Sequence, residues 1–84
     1  MFVCLLRSVH GYPLRAEGEL HEERDWLWLR SLCLYRETDG AFVGTLPHAF
    51  FTESTMKVLR KRGFVRTPRG WRIRVDDYNL FHGG

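Results

Sequence analysis

The chain has 84 residues, 44% of them hydrophobic and 14% aromatic, and a formal net charge of +3. Intrinsic disorder goes with few aromatics and high net charge, so that class is excluded. A chain this short buries roughly 60–65% of its unfolded surface, which makes one domain over residues 1–84 the expectation and commits most apolar residues to its core.

No run approaches the roughly 20 apolar residues of a membrane span, and Met1–Leu6 lacks the basic leader of a signal peptide. Cys4 and Cys33 are the only cysteines. A secreted domain of this size usually carries more, so two reduced thiols in a cytoplasmic protein are expected, each serving as a small hydrophobe.

In chain order, Met1–Val9 reads as a strand closed by the turn cluster His10-Gly11-Tyr12-Pro13. Leu14–His21 alternates: Leu14, Ala16, Gly18 and Leu20 face one way, Arg15, Glu17, Glu19 and His21 the other, as in a half-exposed strand. Glu22–Asp25 is polar and reads as a turn. Trp26–Arg36 (WLWLRSLCLYR) has leucines and preceding acids that suit a helix start, while its tryptophans, its tyrosine and two apolar faces suit a buried strand. The following Asp39-Gly40, a strong hairpin signal, favours one strand over 26–36 paired with 41–46.

Thr52 is a suitable helix N-cap, and Glu53 complements the positive end of the helix dipole. Phe51 and Met56 are placed for a hydrophobic staple, and Gly63 is placed to close the helix after Lys57, Arg60, Lys61 and Arg62. Phe64–Val75 then reads as a hairpin around Thr67-Pro68-Arg69-Gly70. The expected fold is α+β: an antiparallel β-meander, one helix at about 52–62 and a C-terminal β-hairpin.

Charge is placed unevenly. Residues 57–74 hold eight cations and no acid, leaving a net −5 elsewhere. A helix followed by a basic hairpin suits a polyanion, which binds through counterion release without base reading. The expected contacts are Lys57, Arg60 and Lys61 from the helix and Arg66, Arg69 and Arg72 from the hairpin, made to the phosphate backbone of a nucleic acid.

The stretch TESTMKVLRKRGFVRTPRGWRIRV, residues 52–75, resembles the recognition helix and wing of winged helix-turn-helix proteins. The resemblance implies DNA binding by a regulatory protein, with Ser54, Lys57, Arg60 and Lys61 toward a groove and Arg66, Arg69 and Arg72 on the wing. It stops at residue 52, because strands are expected where that family carries its first helices.

An alternative is a small protein-interaction module, such as a phage or mobile-element inhibitor of anti-CRISPR type docking on a host nucleoprotein complex. It would present Glu17, Glu19, Glu22, Glu23 and Asp25 to a basic partner. Enzyme signatures are weak: His21-Glu22 begins an HExxH pattern, but Asp25 takes the second histidine's place. His10, His21, His48 and His82 lack metal-ligand spacing to either cysteine, and no glycine loop cradles phosphate. No enzyme activity, metal, cofactor or small-molecule substrate is expected. Trp26, Trp28 and Trp71 are expected in the core, with Trp28 or Trp71 the candidate for an exposed anchor. Gly83-Gly84 reads as a frayed chain end.

Overall fold

The computed structural model describes residues 1–81; His82, Gly83 and Gly84 lie outside the described residues, and with them the expected frayed end. Its strands are β1 (Phe2–Arg7), β2 (Pro13–Gly18), β3 (His21–Glu23), β4 (Trp26–Leu29), β5 (Ser31–Arg36), β6 (Phe42–Pro47), β7 (Val65–Thr67) and β8 (Gly70–Arg74). Helix α1 (Glu53–Lys61) follows a 3-10 turn at His48–Phe50, and helix α2 (Val75–Phe81) follows β8. The strands form two antiparallel four-stranded sheets, ordered β1-β2-β5-β6 and β3-β4-β8-β7. The fold is α+β, as the sequence implies.

One core draws on both sheets. Phe2, Cys4, Ala16 and Leu32 enter it from the first sheet, Leu29, Trp71 and Ile73 from the second, and Leu59 from α1. The alternation at 14–20 places Ala16 and Gly18 inward. At Gly18 there is no room for a side chain: a Cβ there would collide with Leu29 Cδ1 of the other sheet and come within 2.9 Å of Leu32 Cδ2 of its own.

Helix α1 has the anticipated caps. Thr52 Oγ1 accepts a hydrogen bond from the Thr55 amide at 3.3 Å. At the other end the Gly63 amide donates to Arg60 O and the Phe64 amide to Leu59 O, both at 3.0 Å, with Gly63 at φ +90°. That is a Schellman closure, and it needs glycine at the left-handed position. Phe51 and Met56 both join the core.

Four expectations change. The strand expected over Leu14–His21 ends at Gly18, and His21 opens β3 in the second sheet. Residues 26–36 form two strands in different sheets, split at Arg30. Before the split the core takes Leu27 and Leu29, after it Leu32 and Leu34, so the inward phase slips by one residue. Strand β5 keeps the expected β6 partner, while β4 pairs with β8. Residues 22–25 are not all turn: Glu22 and Glu23 belong to β3, and only Arg24, at φ +58°, and Asp25 turn the chain. Finally, the C-terminal hairpin ends at Arg74. Val75 opens α2, whose Asp76 and Asp77 suit a helix start and whose Phe81 ring packs on Gly63, 2.7 Å from where a Cβ would stand.

Candidate functional site

Strand register decides which side chains share the outer face of the second sheet. Trp26 opposes Arg74 and Trp28 opposes Arg72 across β4 and β8. Directly opposed residues point to the same side of a sheet, so these four side chains gather on the side away from Leu29, Trp71 and Ile73. Glu23 and His21 of β3 join them opposite Trp26 and Trp28.

The result is a stacked array. The Arg72 guanidinium lies 3.9 Å from the Trp26 ring centroid and 5.4 Å from that of Trp28. Arg74 also covers Trp26, at 4.5 Å, and Arg30 covers Trp28, at 4.7 Å. Each contact of this kind contributes about 0.5–2 kcal/mol according to its desolvation. Trp28 is only 8% exposed yet stands outside the core cluster, with the Arg30 and Arg72 guanidiniums over its ring and His21 opposite it on β3. Of the expected core tryptophans, Trp71 alone is central, at 1% exposure.

Beside the array runs an open groove of about 680 Å³ lined by Glu23, Arg24, Trp26, Trp28, Arg69 and Arg72. Among the described residues, Arg24, Arg69, Arg72 and Arg74 have no carboxylate within ion-pair distance. The pairs that do form are Arg15–Glu17, Arg30–Glu23, Arg36–Asp39, Arg60–Glu53 and His21–Glu19. Arg72 Nε is buried and lacks a hydrogen-bond partner among the described residues. Leaving such a donor unsatisfied costs about 1–3 kcal/mol or more. The Arg30 Nε–H donates to Arg69 O at 3.3 Å, tying the end of β4 to the β7–β8 turn.

The six cations expected as one site are divided. Arg69 and Arg72 line the groove. Arg66 opposes Trp71 across β7 and β8, and therefore projects from the opposite side of the sheet, into a recess with His48, Ala49, Thr67 and Pro68. Lys57, Arg60 and Lys61 are exposed on α1. Arg60 is occupied there, bonded to Glu53 Oε1 at 3.3 Å with its guanidinium 5.6 Å from the Trp71 ring. Ser54 is exposed beside the Thr52 cap. The helix and hairpin of the winged-helix resemblance are α1 and β7–β8, and six strands precede them among the described residues.

The acidic set is dispersed too. Glu17 is bound to Arg15 Nε at 2.8 Å on the first sheet, and Glu19 lies 3.9 Å from His21. Glu22 and Glu23 point to opposite sides of the second sheet, and Asp25 sits in a small recess with Arg74 and Asp76.

The groove's floor went unread because it joins Trp-x-Trp at 26–28 to Arg-x-Arg at 72–74, and only the β4–β8 pairing shows that they meet. Cys4 and Cys33 are both free, one buried and one half-buried. Burial pushes the Cys4 thiol up in pKa against the opposing pull of Arg62. Among the described residues no three His, Cys, Asp or Glu side chains are gathered as metal ligands, and no helix is long and apolar enough to cross a membrane. No protein-family model, curated protein or solved structure matches the chain.

Proposed function

We propose that this is a nucleic-acid-binding accessory or regulatory protein, without enzymatic activity, that holds the phosphate backbone on the outer face of its second sheet. The reading rests on one observation: Arg24, Arg69 and Arg72 line a single groove with two tryptophans and no carboxylate of their own. Guanidinium planes offer forked donors that match phosphate oxygens better than ammonium groups do. Stacking on Trp26 and Trp28 fixes Arg72 before any ligand arrives, so less side-chain freedom is lost on binding. Lys57 and Lys61, on the far side of the sheet, add long-range attraction without being the contact surface. In this reading the protein works in the cytoplasm with both thiols reduced.

Fluorescence anisotropy with labelled single-stranded DNA, RNA and duplex at low salt tests the proposal. Binding should weaken linearly in log–log form as salt rises, with a slope of about −0.7 to −0.9 per phosphate neutralised. Failure to bind any of the three at low salt overturns it. Retention of a defined host protein complex after nuclease treatment is the result expected of the protein-interaction module instead.

A further inference from the structure

The outer face of the second sheet is four strands wide, about 14 Å between its outermost strands at about 4.8 Å per step. The duplex major groove, about 12 Å wide, admits a helix or a two-stranded ribbon, so this face cannot enter it. A duplex could touch the face only through phosphates at its rim, whereas the groove is lined by ring and guanidinium surface on which an unpaired base can stack.

The ends of the groove say what fits. Arg24 comes from the β3–β4 turn, past the row where Trp26 opposes Arg74. Arg69 comes from the β7–β8 turn, past the row where Leu29 opposes Trp71. These rows are about 10 Å apart at roughly 3.4 Å per residue. Two free cations therefore bracket a floor of indole and guanidinium, with Glu23 as the one carboxylate on the lining. A carboxylate repels phosphate and accepts hydrogen bonds from base N–H groups.

We infer that the groove takes one unpaired nucleotide of a single strand, its flanking phosphates on Arg24 and Arg69 and its base stacked on the Arg72 guanidinium that Trp26 backs, beside Glu23. Unstacked bases are commonly held on aromatic rings and guanidinium planes, and stacking tolerates any sequence. The inference rests on the nucleic-acid reading above and narrows it to one strand state; DNA and RNA share the chemistry.

The test compares four probes at matched low salt by anisotropy and by Trp fluorescence: single-stranded DNA, single-stranded RNA, a duplex of the same sequence, and inorganic polyphosphate. At least one single strand should bind about ten-fold or more tightly than duplex and polyphosphate, and should quench indole emission. Trp26→Ala should lose roughly ten-fold for the single strand with little change for polyphosphate. Trp26→Phe, which keeps a ring, should retain most of the preference, and thermal melting of both variants shows that they are folded. Equal affinity for single strand and duplex, or for single strand and polyphosphate, overturns the inference and leaves backbone binding standing. No binding to any nucleic acid overturns both.

Discussion

The outer faces of the two sheets handle charge in opposite ways. On the first sheet, Val3, Glu17, Cys33 and Thr45 form one cross-strand row and Leu5, Arg15, Tyr35 and Phe42 the next. Arg15 there is bound to Glu17 at 2.8 Å and also covers the Tyr35 ring at 5.3 Å, so its charge is met within the face. Leu5 and Phe42 remain 67% and 60% exposed on either side of it. On the second sheet the large apolar rings are covered, and of the cations above them Arg30 is paired with Glu23 while Arg72 and Arg74 have no acid among the described residues. The same ingredients, aromatic rings and arginines on a pleat, give a locally neutral surface in one place and a cationic groove in the other. The difference lies in whether a carboxylate occupies the adjacent position: Glu17 stands two residues from Arg15, whereas Arg72 has Arg74.

The comparison presumes that the two sheets are one cooperative body, and Trp71→Ala tests that most severely. Trp71 is 1% exposed in the layer shared by both sheets. Its truncation should cost about 3–5 kcal/mol, and chemical denaturation should still show one transition. Two separated transitions would mean that the sheets melt independently and that their outer faces belong to separate units.

Charge removal at matched positions probes the comparison itself. Arg69→Gln should weaken nucleic-acid binding for every sequence alike and lower the salt slope by about 1, as expected for one lost phosphate contact. Arg15→Gln removes the same charge from the chain but should leave the slope unchanged, altering stability by no more than about 1 kcal/mol. Equal losses of affinity from both would show that net charge governs binding and that the groove has no special role.

How far the sequence reaches follows the same division. Thr52, Gly63, Asp39-Gly40 and the alternation over 14–18 act through local backbone rules, so they were legible and fall where expected, although the strand expected to run on to His21 stops at Gly18. The split at Arg30 was hidden because WLWLRSLCLY is apolar on both faces, which conceals a change of phase. The leucines carry the signal nonetheless: Leu27, Leu29, Leu32 and Leu34 are spaced two, three and two apart, and the three marks the slip. The site was half legible. Basic composition picked out Arg69 and Arg72, but a sheet separates Arg66 from them, and period-two alternation already puts residues 66 and 72 on opposite sides once Arg66 opposes Trp71. Trp26, Trp28, Arg24 and Arg74 depend on β4 pairing with β8, a long-range event that no local pattern announces.

The smallest expected effect is the most direct check on how the first sheet meets its charges, and it lies in the β5–β6 turn. The Ala41 amide donates to Asp39 Oδ1 at 3.1 Å, and Arg36 Nη2 donates to Oδ2 at 2.9 Å. The amide first, with Arg36 beside it, holds the Asp39 carboxyl below the ordinary 3.8. A carboxylate whose pKa is depressed on folding adds stability above its unfolded pKa, and that stability fades as pH falls through the folded value. Asp39→Ala should therefore melt slightly below the wild type at neutral pH, with the gap closing as pH drops below 3.8. Asp39→Asn keeps an acceptor for Ala41 but no charge, so it should fall between the two at neutral pH. None of these changes should alter nucleic-acid binding, because Arg36 and Asp39 belong to the first sheet and its turn and do not line the groove. A gap that stays constant from neutral to acid pH would mean that Asp39 acts only by shaping the turn before Gly40, which sits at φ +73°. A change in binding would mean that charge on the first sheet is not contained within it.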